Sequence, residues 1–417
     1  MPSENRSARI FYGWWVIVAG FVVLAVGAGI WTGFGVFFKP LLEEFGGSRR
    51  GMALIISIGM VLWALGQFAA GAMLNRFGPR KVIAIGVGVM GLGALLSSRV
   101  SSVGGLLGTY GFIVGAGTGF ATMNSVAVLV SRWFVKKRGM ALGLTIAGFN
   151  AGQFLLIPLT QVLVGAVGWR GAFLIWAGLL WVVVLPLVAG LVRDDPERMG
   201  LHPDSAAEAE TEREEPIATR VEWIPQGVVR EALGDRAFWL LFVSYVGCGF
   251  TDFTLYVHLP IFATGLGLGE QTAANAVGLI GGLSIIGVIG MGALADRIGY
   301  RAPLTLSYGI RCVGMILLTL TAGKTMLFVA ITIYGVFHMA TTPLTPGMAA
   351  ALYGRQPLGI LYGYLLLGHS LGALLGPYVA GAVFDWTGRY EMAFLLTAVI
   401  LAGASACCAM IKAGERD

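Results

Sequence analysis

The decapeptide Gly71-Ala-Met-Leu-Asn-Arg-Phe-Gly-Pro-Arg80 recurs as Gly292-Ala-Leu-Ala-Asp-Arg-Ile-Gly-Tyr-Arg301, 221 residues further along a chain of 417. Each copy follows one long apolar stretch and precedes another. A basic turn repeated at about half the length of the chain indicates two similar halves. Internal repeats of this kind are typical of membrane proteins whose ligand site lies between the repeats. The repeat therefore predicts the fold and the place to look for a site.

The composition is that of a membrane protein. Apolar residues make up 57% of the chain, charged residues 12%, and the mean hydropathy is +0.80, whereas soluble domains carry about 25% charged residues. Most apolar stretches reach the roughly 20 residues that cross a bilayer. The sequence thus predicts an all-α membrane protein with twelve transmembrane helices in two pseudo-symmetric six-helix bundles. The apolar stretches are 14–38, 51–74, 82–98, 103–131, 139–167, 171–191, 237–261, 272–294, 302–321, 325–351, 358–383 and 390–411.

The distribution of basic residues predicts the orientation, because cytoplasmic loops carry an excess of Lys and Arg. With the N-terminus inside, the inner segments hold twenty of these residues and the outer segments seven. Both termini and the central loop are therefore expected in the cytoplasm, in the inner membrane of a prokaryote. The net charge of +6 follows from this bias, so no nucleic-acid partner is expected.

Residues 193–236 interrupt the apolar pattern and hold 12 of the 22 acidic residues. This composition indicates a solvated linker, although a binding segment is an alternative, and a short surface helix is expected near 230–235. The predicted domains are a six-helix bundle at 1–192, a cytoplasmic linker at 193–236 and a second bundle at 237–417.

Two motifs carry a resemblance to known families. The repeated turns, with Gly71, Asn75, Arg76 and Arg80 in one copy and Gly292, Asp296, Arg297 and Arg301 in the other, resemble the loop signature of the major facilitator superfamily. The stretch from Trp133 to Gly152, with Lys136-Lys137-Arg138-Gly139 near its start, resembles the fifth-span signature of the monocarboxylate transporters, and Tyr12-Gly-Trp-Trp-Val16 resembles the first span of bacterial members and of oxalate/formate-type exchangers. This resemblance implies a twelve-helix transporter of small carboxylates, often proton-coupled.

The chain departs from that family in its membrane charges. Family members often carry an Asp and an Arg on the eighth span, and here the corresponding places, near Ser284 and Val288, are uncharged. Some members carry a lysine in the first span, where this chain has Thr32 or a neighbour. The substrate therefore cannot be carried over from the resemblance alone.

Asp252 and Arg311 are the two formally charged residues deep in apolar stretches. A charge at mid-membrane costs about 2.5–3.5 kcal/mol on insertion scales, so each needs a partner or a wet cavity. Counting about 1.5 Å per residue along each helix places the two at similar depths, within reach of each other. Arg311 is a candidate carboxylate ligand and Asp252 a candidate proton carrier; a purely structural ion pair is the alternative. Glycines 281, 282 and 287 are expected to let Arg311 pass the eighth span.

Helical spacing adds further candidates for a central cavity. Imidazoles titrate near neutral pH, so His338 and His369 are candidates for proton coupling and substrate binding. His258 lies six residues from Asp252, about 120° around the helix, so both cannot face the cavity centre. In Thr342-Pro-Leu-Thr-Pro-Gly347 the prolines predict a kink, either a gate or a static bend. The remaining candidate substrate-binding residues are Tyr256, Tyr334, Tyr362, Asn124 and Asn150.

The sequence contains no motif for enzyme chemistry. There is no Gly-x-Ser-x-Gly elbow, no phosphate-binding loop and no metal-ligand spacing, and the four cysteines all lie in apolar stretches. We therefore expect no catalytic residues, no metal and no cofactor. The predicted function is transport of a small monocarboxylate, lactate- or pyruvate-like, with a proton, by a monomer in the lipid bilayer. The alternatives are an organic-anion exchanger of the oxalate/formate type, an exporter of larger amphipathic compounds, or a membrane sensor that does not transport.

Overall fold

A computed structural model describes residues 11–134, 137–202, 204, 226–354 and 358–411 of the protein. These ranges contain eleven continuous helical segments that are long and apolar enough to cross a membrane. One of them, Met140–Leu191, has 52 residues, about 78 Å at 1.5 Å per residue, which is more than twice the roughly 30 Å of a bilayer core. Gly168 divides it, with φ 72° and ψ 169°, a backbone region that favours glycine.

The prediction of twelve transmembrane helices is confirmed. We number them first to twelfth in chain order: Gly13–Phe45, Arg49–Leu74, Pro79–Ser97, Val103–Trp133, 140–167, 169–191, Arg236–Gly265, Glu270–Ile298, Arg301–Thr319, Lys324–Tyr353, Ile360–Thr387 and Tyr390–Met410. Between the halves, the helix Gln226–Gly234 covers the expected short surface helix, and the carboxylate of Asp235 then caps the seventh span at the amide of Ala237, 3.0 Å away. Residues 205–225 of the linker lie outside the described ranges.

The two halves repeat the same close helix packing. A Cβ added to Gly152 in the fifth span would lie 2.0 Å from the carbonyl oxygen of Ala25 in the first. A Cβ added to Gly372 in the eleventh span would lie 1.9 Å from the carbonyl oxygen of Val246 in the seventh. Both pairs are related by the same offset as the repeated decapeptide, to within one residue. Small residues that let backbones approach are the usual basis of helix association in membranes.

The repeated basic turns join equivalent spans in each half. Arg80 Nη2 donates to the carbonyl oxygen of Ala189 at 2.5 Å, tying the third span to the sixth. Arg301 Nη2 donates to the carbonyl oxygen of Ala409, tying the ninth span to the twelfth. The backbone amide of Arg80 also donates to Asp194 at 2.8 Å, so a linker residue supplies a carboxylate to the copy of the turn that has none.

The other motif residues lie at the same face of the molecule. Arg76, Asp296 and Arg297 are exposed there, as is Gly71, whereas Gly292 is half-buried. The side chain of Asn75 lies outside the described residues. Apart from Asn75, none of these residues lines the cavity between the halves.

The halves are closed against each other at the opposite face. The amides of Arg49 and Arg50, at the start of the second span, each donate to a carboxylate oxygen of Asp385 in the eleventh at 3.1 Å. Lys39 Nζ in the first span donates to Glu270 at the start of the eighth at 2.7 Å. The first of these contacts joins the second span to the eleventh, and the other joins the first span to the eighth. The two bundles are therefore held together at two places on this face, which presents no opening between them.

The tenth span is broken, as predicted, but three residues before the proline stretch. One helix ends at His338 and the next begins at Thr341. The physical reason is that the ring of Pro343 clashes with the carbonyl four residues earlier, that of Met339. The fourth span has a break that was not predicted, at Ala121 and Thr122. It lies within three residues of the equivalent place in the first half and has no proline.

We expect the close packing between equivalent spans to be intolerant of side chains. Replacing Gly152 or Gly372 by valine places new atoms against a carbonyl oxygen and should cost about 1–3 kcal/mol or more by overpacking. The measurement is the thermal unfolding midpoint in detergent, which should fall by several degrees for each variant. Gly403→Val is the matched control, because nothing lies within 4 Å of a Cβ added there; equal midpoints for all three variants would contradict the proposed packing.

Candidate functional site

A cavity lies between the two halves near the middle of the molecule. It encloses about 1070 Å³ of empty space, including its mouth, and residues of the first, second, fourth, fifth, seventh, tenth and eleventh spans line it. The lining extends to Tyr362, close to the start of the eleventh span, and to Gln67, near the end of the second. The cavity therefore opens at the face where the first span begins and the twelfth ends, opposite the closed face.

The two charges predicted to meet do so at the wall of this cavity. Arg311 donates through Nη2 to Oδ1 of Asp252, and the side chains are 0% and 7% exposed. Nη2 also donates to Thr251 Oγ1 at 2.6 Å and Tyr334 OH at 2.9 Å, and Nη1 to Cys248 Sγ at 3.3 Å. Asp252 lines the cavity, whereas Arg311 lies behind it and does not. An ion pair shielded in this way meets the need of each charge for a partner.

The route of Arg311 differs from the expected one. The glycines of the eighth span pack elsewhere: Gly281 and Gly282 face the fifth span, and Gly287 lies against the carbonyl oxygen of Val336 in the tenth. The expectation that they make room for Arg311 is wrong. Arg311 passes between the seventh and tenth spans, where Gly314 lets the ninth span approach Tyr334; a Cβ there would lie 2.9 Å from that of Tyr334.

The break in the tenth span provides one more partner for Arg311. The helix stops at His338. The amide of Thr342 therefore donates to the carbonyl oxygen of Met339, three residues earlier, and not to that of His338, four residues earlier. The carbonyl oxygen of His338 accepts from Arg311 Nη1 at 3.4 Å. The prolines thus leave the carbonyl oxygen of His338 without its helical partner at mid-membrane, and the guanidinium of Arg311 donates a hydrogen bond to it.

Two imidazoles bracket the carboxylate of Asp252 on the cavity side. His338 Nδ1 lies 3.2 Å from Oδ1, and His369 Nε2 lies 3.7 Å from Oδ2. The other ring nitrogen of His338 is 2.5 Å from the hydroxyl of Tyr256, so a chain of polar contacts runs from Tyr256 through His338 to Asp252. Neither Nδ1 of His338 nor Nδ1 of His369 forms a hydrogen bond within the described residues. Both imidazoles therefore lie beside Asp252 with one ring nitrogen that is not engaged in a hydrogen bond.

The remaining predicted site residues divide into two groups. Tyr362 and Asn124 line the cavity together with Tyr256, His338 and His369, and Asn124 Nδ2 donates to Gln67 at 3.0 Å. Tyr334 and Asn150 are buried and do not line it. Tyr334 instead holds the ion pair, through its contacts with Arg311 and, at 3.2 Å, with Asp252.

His258 lies away from the cavity, as its angle from Asp252 predicted. Its ring nitrogens contact the hydroxyl of Tyr390 at 3.0 Å and the carbonyl oxygen of Pro377 at 2.8 Å. These residues belong to the closed face, so His258 is part of the packing there.

Small uncharged groups also contribute to the site, although no sequence pattern marked them. Cys248 and Thr251, each one turn or less from Asp252, contact Arg311 directly, and Cys248 Sγ lies 3.2 Å from Thr341 Oγ1. Cys248, Asp252 and His369 place potential metal ligands within 4.8 Å of one another. The guanidinium of Arg311 already contacts Cys248 and Asp252, so a metal cation would have to displace it.

Comparisons with known proteins agree with this architecture. The profile of the Major Facilitator Superfamily matches residues 16–325 and 284–416. Monocarboxylate transporter 13 of Bos taurus is 28% identical over 398 residues, covering 94% of this chain and 88% of the relative. The uncharacterized MFS-type transporter YcxA of Bacillus subtilis (strain 168) is 25% identical over 404 residues, covering 94% and 93%.

A solved structure has the same fold. A bacterial homolog of the human lysosomal transporter Spinster, in an inward-facing and unoccupied conformation, superimposes with a TM-score of 0.77 over 98% of both chains at 17% identity.

We expect Arg311→Met to destabilise the protein, because it leaves the carboxylate of Asp252 buried without its partner. Breaking one side of a buried ion pair costs about 3–5 kcal/mol, which should lower the thermal unfolding midpoint in detergent. The double variant Arg311→Met with Asp252→Asn removes both charges and should recover most of that loss. Arg389→Met, at an exposed pair 3.6 Å from Glu391, is the control and should change little. Simple additivity of the two single effects would contradict the pairing.

Proposed function

The chain belongs to the Major Facilitator Superfamily and is a membrane transporter, and from that premise we propose that it carries monocarboxylates together with a proton by alternating access. The observation that carries this proposal is the cluster of Asp252, Arg311, His338 and His369 at the wall of the central cavity. The similarity to monocarboxylate transporters over nearly the whole chain supports the substrate class.

The charge balance of the cluster supports proton coupling. Asp252 and Arg311 form a pair with no net charge, so a proton gained by His338 or His369 makes the cluster positive. Imidazole exchanges protons near neutral pH, and both rings lie beside the carboxylate of Asp252. In this scheme the two histidines collect the proton and Asp252 holds them in place.

The same proton supplies the charge that a carboxylate needs. Arg311 does not line the cavity, whereas both imidazoles do, so the substrate carboxylate meets the protonated imidazoles, with the hydroxyls of Tyr256 and Tyr362 as further donors. Charge-assisted hydrogen bonds of this kind are about twice as strong as neutral ones. Arg311 acts as a positioning residue that keeps Asp252 paired, and this places the substrate on the cavity side of the pair.

Alternating access follows from the two faces of the molecule. The cavity opens at one face while Asp385 and the Lys39–Glu270 pair close the other. Separating these contacts and closing the mouth would expose the cluster to the opposite side. We place the open face in the cytoplasm of a prokaryotic cell, from the excess of basic residues there, and propose a monomer without a nucleic-acid partner.

We expect His369→Gln to lower both the accumulation of substrate driven by a pH gradient and the exchange of substrate. The variant removes an imidazole whose proton is coupled to uptake and also supplies the positive charge that the substrate carboxylate needs. The measurement is initial uptake of labelled pyruvate into proteoliposomes with an acidic exterior, beside counterflow at equal pH. His202→Gln, an exposed linker residue, is the control. Wild-type proton-driven uptake by both His369→Gln and Asp252→Asn would rule out this cluster as the coupling site.

The proposed orientation can be tested with introduced cysteines. Ser205→Cys, in the linker, should react with a membrane-impermeant maleimide only after cells are permeabilised. Ser101→Cys, in the exposed turn between the third and fourth spans, should react in intact cells. The wild-type protein gives the background, since its four cysteines lie in the spans. The reverse pattern would place the termini outside.

A further inference from the structure

The wall that the first half contributes to the cavity is uncharged. None of its lining residues in the described ranges is Asp, Glu, Lys, Arg or His, and its large side chains are Trp31, Trp63 and Phe149. All titratable lining side chains that meet Asp252 come from the second half. A ligand that spans the cavity therefore meets one site for a single anionic group and, across from it, an uncharged surface on which aromatic rings lie beside the amides of Gln67 and Asn124.

One large aromatic side chain of this wall, Trp31, is held in place on both sides. The ring of Trp31 stacks on Tyr110 with centroids 6.0 Å apart and planes 7° from parallel. Its outer edge lies over Gly59, where a Cβ would approach Cη2 of the indole to 2.4 Å. The hydroxyl of Tyr110 in turn donates to the carbonyl oxygen of Ile30 at 2.6 Å. A surface fixed in this way is ready to receive a flat apolar group without rearranging.

Aromatic rings make up much of the lining of the cavity. Seven aromatic side chains line it, and aromatic rings bury large areas against flat apolar partners. A short acid held at the histidines would leave the tryptophan wall uncovered.

From these observations we infer that the preferred substrates are monocarboxylates with a bulky apolar or aromatic body, larger than lactate or pyruvate. The carboxylate meets the cluster around Asp252 and the body lies against Trp31, Trp63 and Phe149. A second carboxylate would face the uncharged wall without a cationic partner, so dicarboxylates are poor substrates. This inference rests on the proposed function, since it names the substrate class of the same cavity.

The experiment is counterflow in proteoliposomes with three 2-oxo acids that share one head group: pyruvate, 4-methyl-2-oxopentanoate and phenylpyruvate. Each buried methylene-sized group is worth about fourfold in affinity. The half-saturation concentration should therefore fall along this series, by at least about tenfold from pyruvate to phenylpyruvate, and oxalate should compete weakly. Equal values for the three acids, or the lowest value for pyruvate, would overturn the inference.

A variant of the wall tests the contact itself. Trp63→Ala should raise the half-saturation concentration for phenylpyruvate about fivefold or more and leave that for pyruvate within about twofold. Trp15→Ala, at a side chain 46% exposed and outside the lining, is the matched control. Trp63→Phe retains an aromatic ring and should recover selectivity, and the comparison of the three acids on the unmodified protein does not depend on either variant folding.

The outcomes separate this inference from the function on which it rests. If no acid in the series is exchanged, monocarboxylate transport fails, and the size preference fails with it. If all three are exchanged with equal half-saturation, or if Trp63→Ala affects pyruvate and phenylpyruvate alike, transport of monocarboxylates stands and only the size preference is overturned.

Discussion

A guanidinium and a carboxylate at mid-membrane must be paired, and much of the second half is arranged around that constraint. Each charge alone costs about 2.5–3.5 kcal/mol at the bilayer centre on insertion scales. Arg311 meets this cost with Asp252, Thr251, Tyr334 and the free carbonyl of His338. The broken tenth span and the close approach at Gly314 both serve this one contact, and the histidines that face the cavity are held in place by it.

The sequence predicted the elements well and the directions of side chains less well. Hydropathy and length were enough to predict twelve spans, and counting residues from the ends of the spans was enough to predict that Asp252 and Arg311 meet. Both predictions depend only on distance along a helix. The route of Arg311 depends on which helices pack closely. That is set by contacts such as Gly287 against Val336, which no single helix reveals. The domain limits at 192 and 236 stay predictions.

The site itself was predicted in part. Spacing identified His338, His369, Tyr256 and Tyr362, since residues four or seven apart share a helix face. Helical spacing could not show that Arg311 lies behind Asp252, because the two residues lie at similar depths in the membrane. Only the packing of the seventh, ninth and tenth spans decides which of the two side chains lines the cavity. The break in the fourth span was not predicted, since no proline marks it. The repeat between the halves could have predicted it from the break in the tenth span. A repeated backbone thus carries unequal chemistry in its two halves.

The neutrality of the Asp252–Arg311 pair has an electrical consequence. In the proposed cycle the loaded site holds a carboxylate, an arginine, one imidazolium and the substrate anion, and the empty site holds the pair alone. Both sum to zero, so neither crossing moves net charge. A membrane voltage contributes about 2.3 kcal/mol per elementary charge per 100 mV. In the proposed cycle no net charge crosses the membrane, so the voltage contributes no free energy to transport. The rate and direction of transport by such a carrier do not depend on the membrane voltage. The ratio to which it concentrates an acid is limited by the ratio of proton concentrations across the membrane.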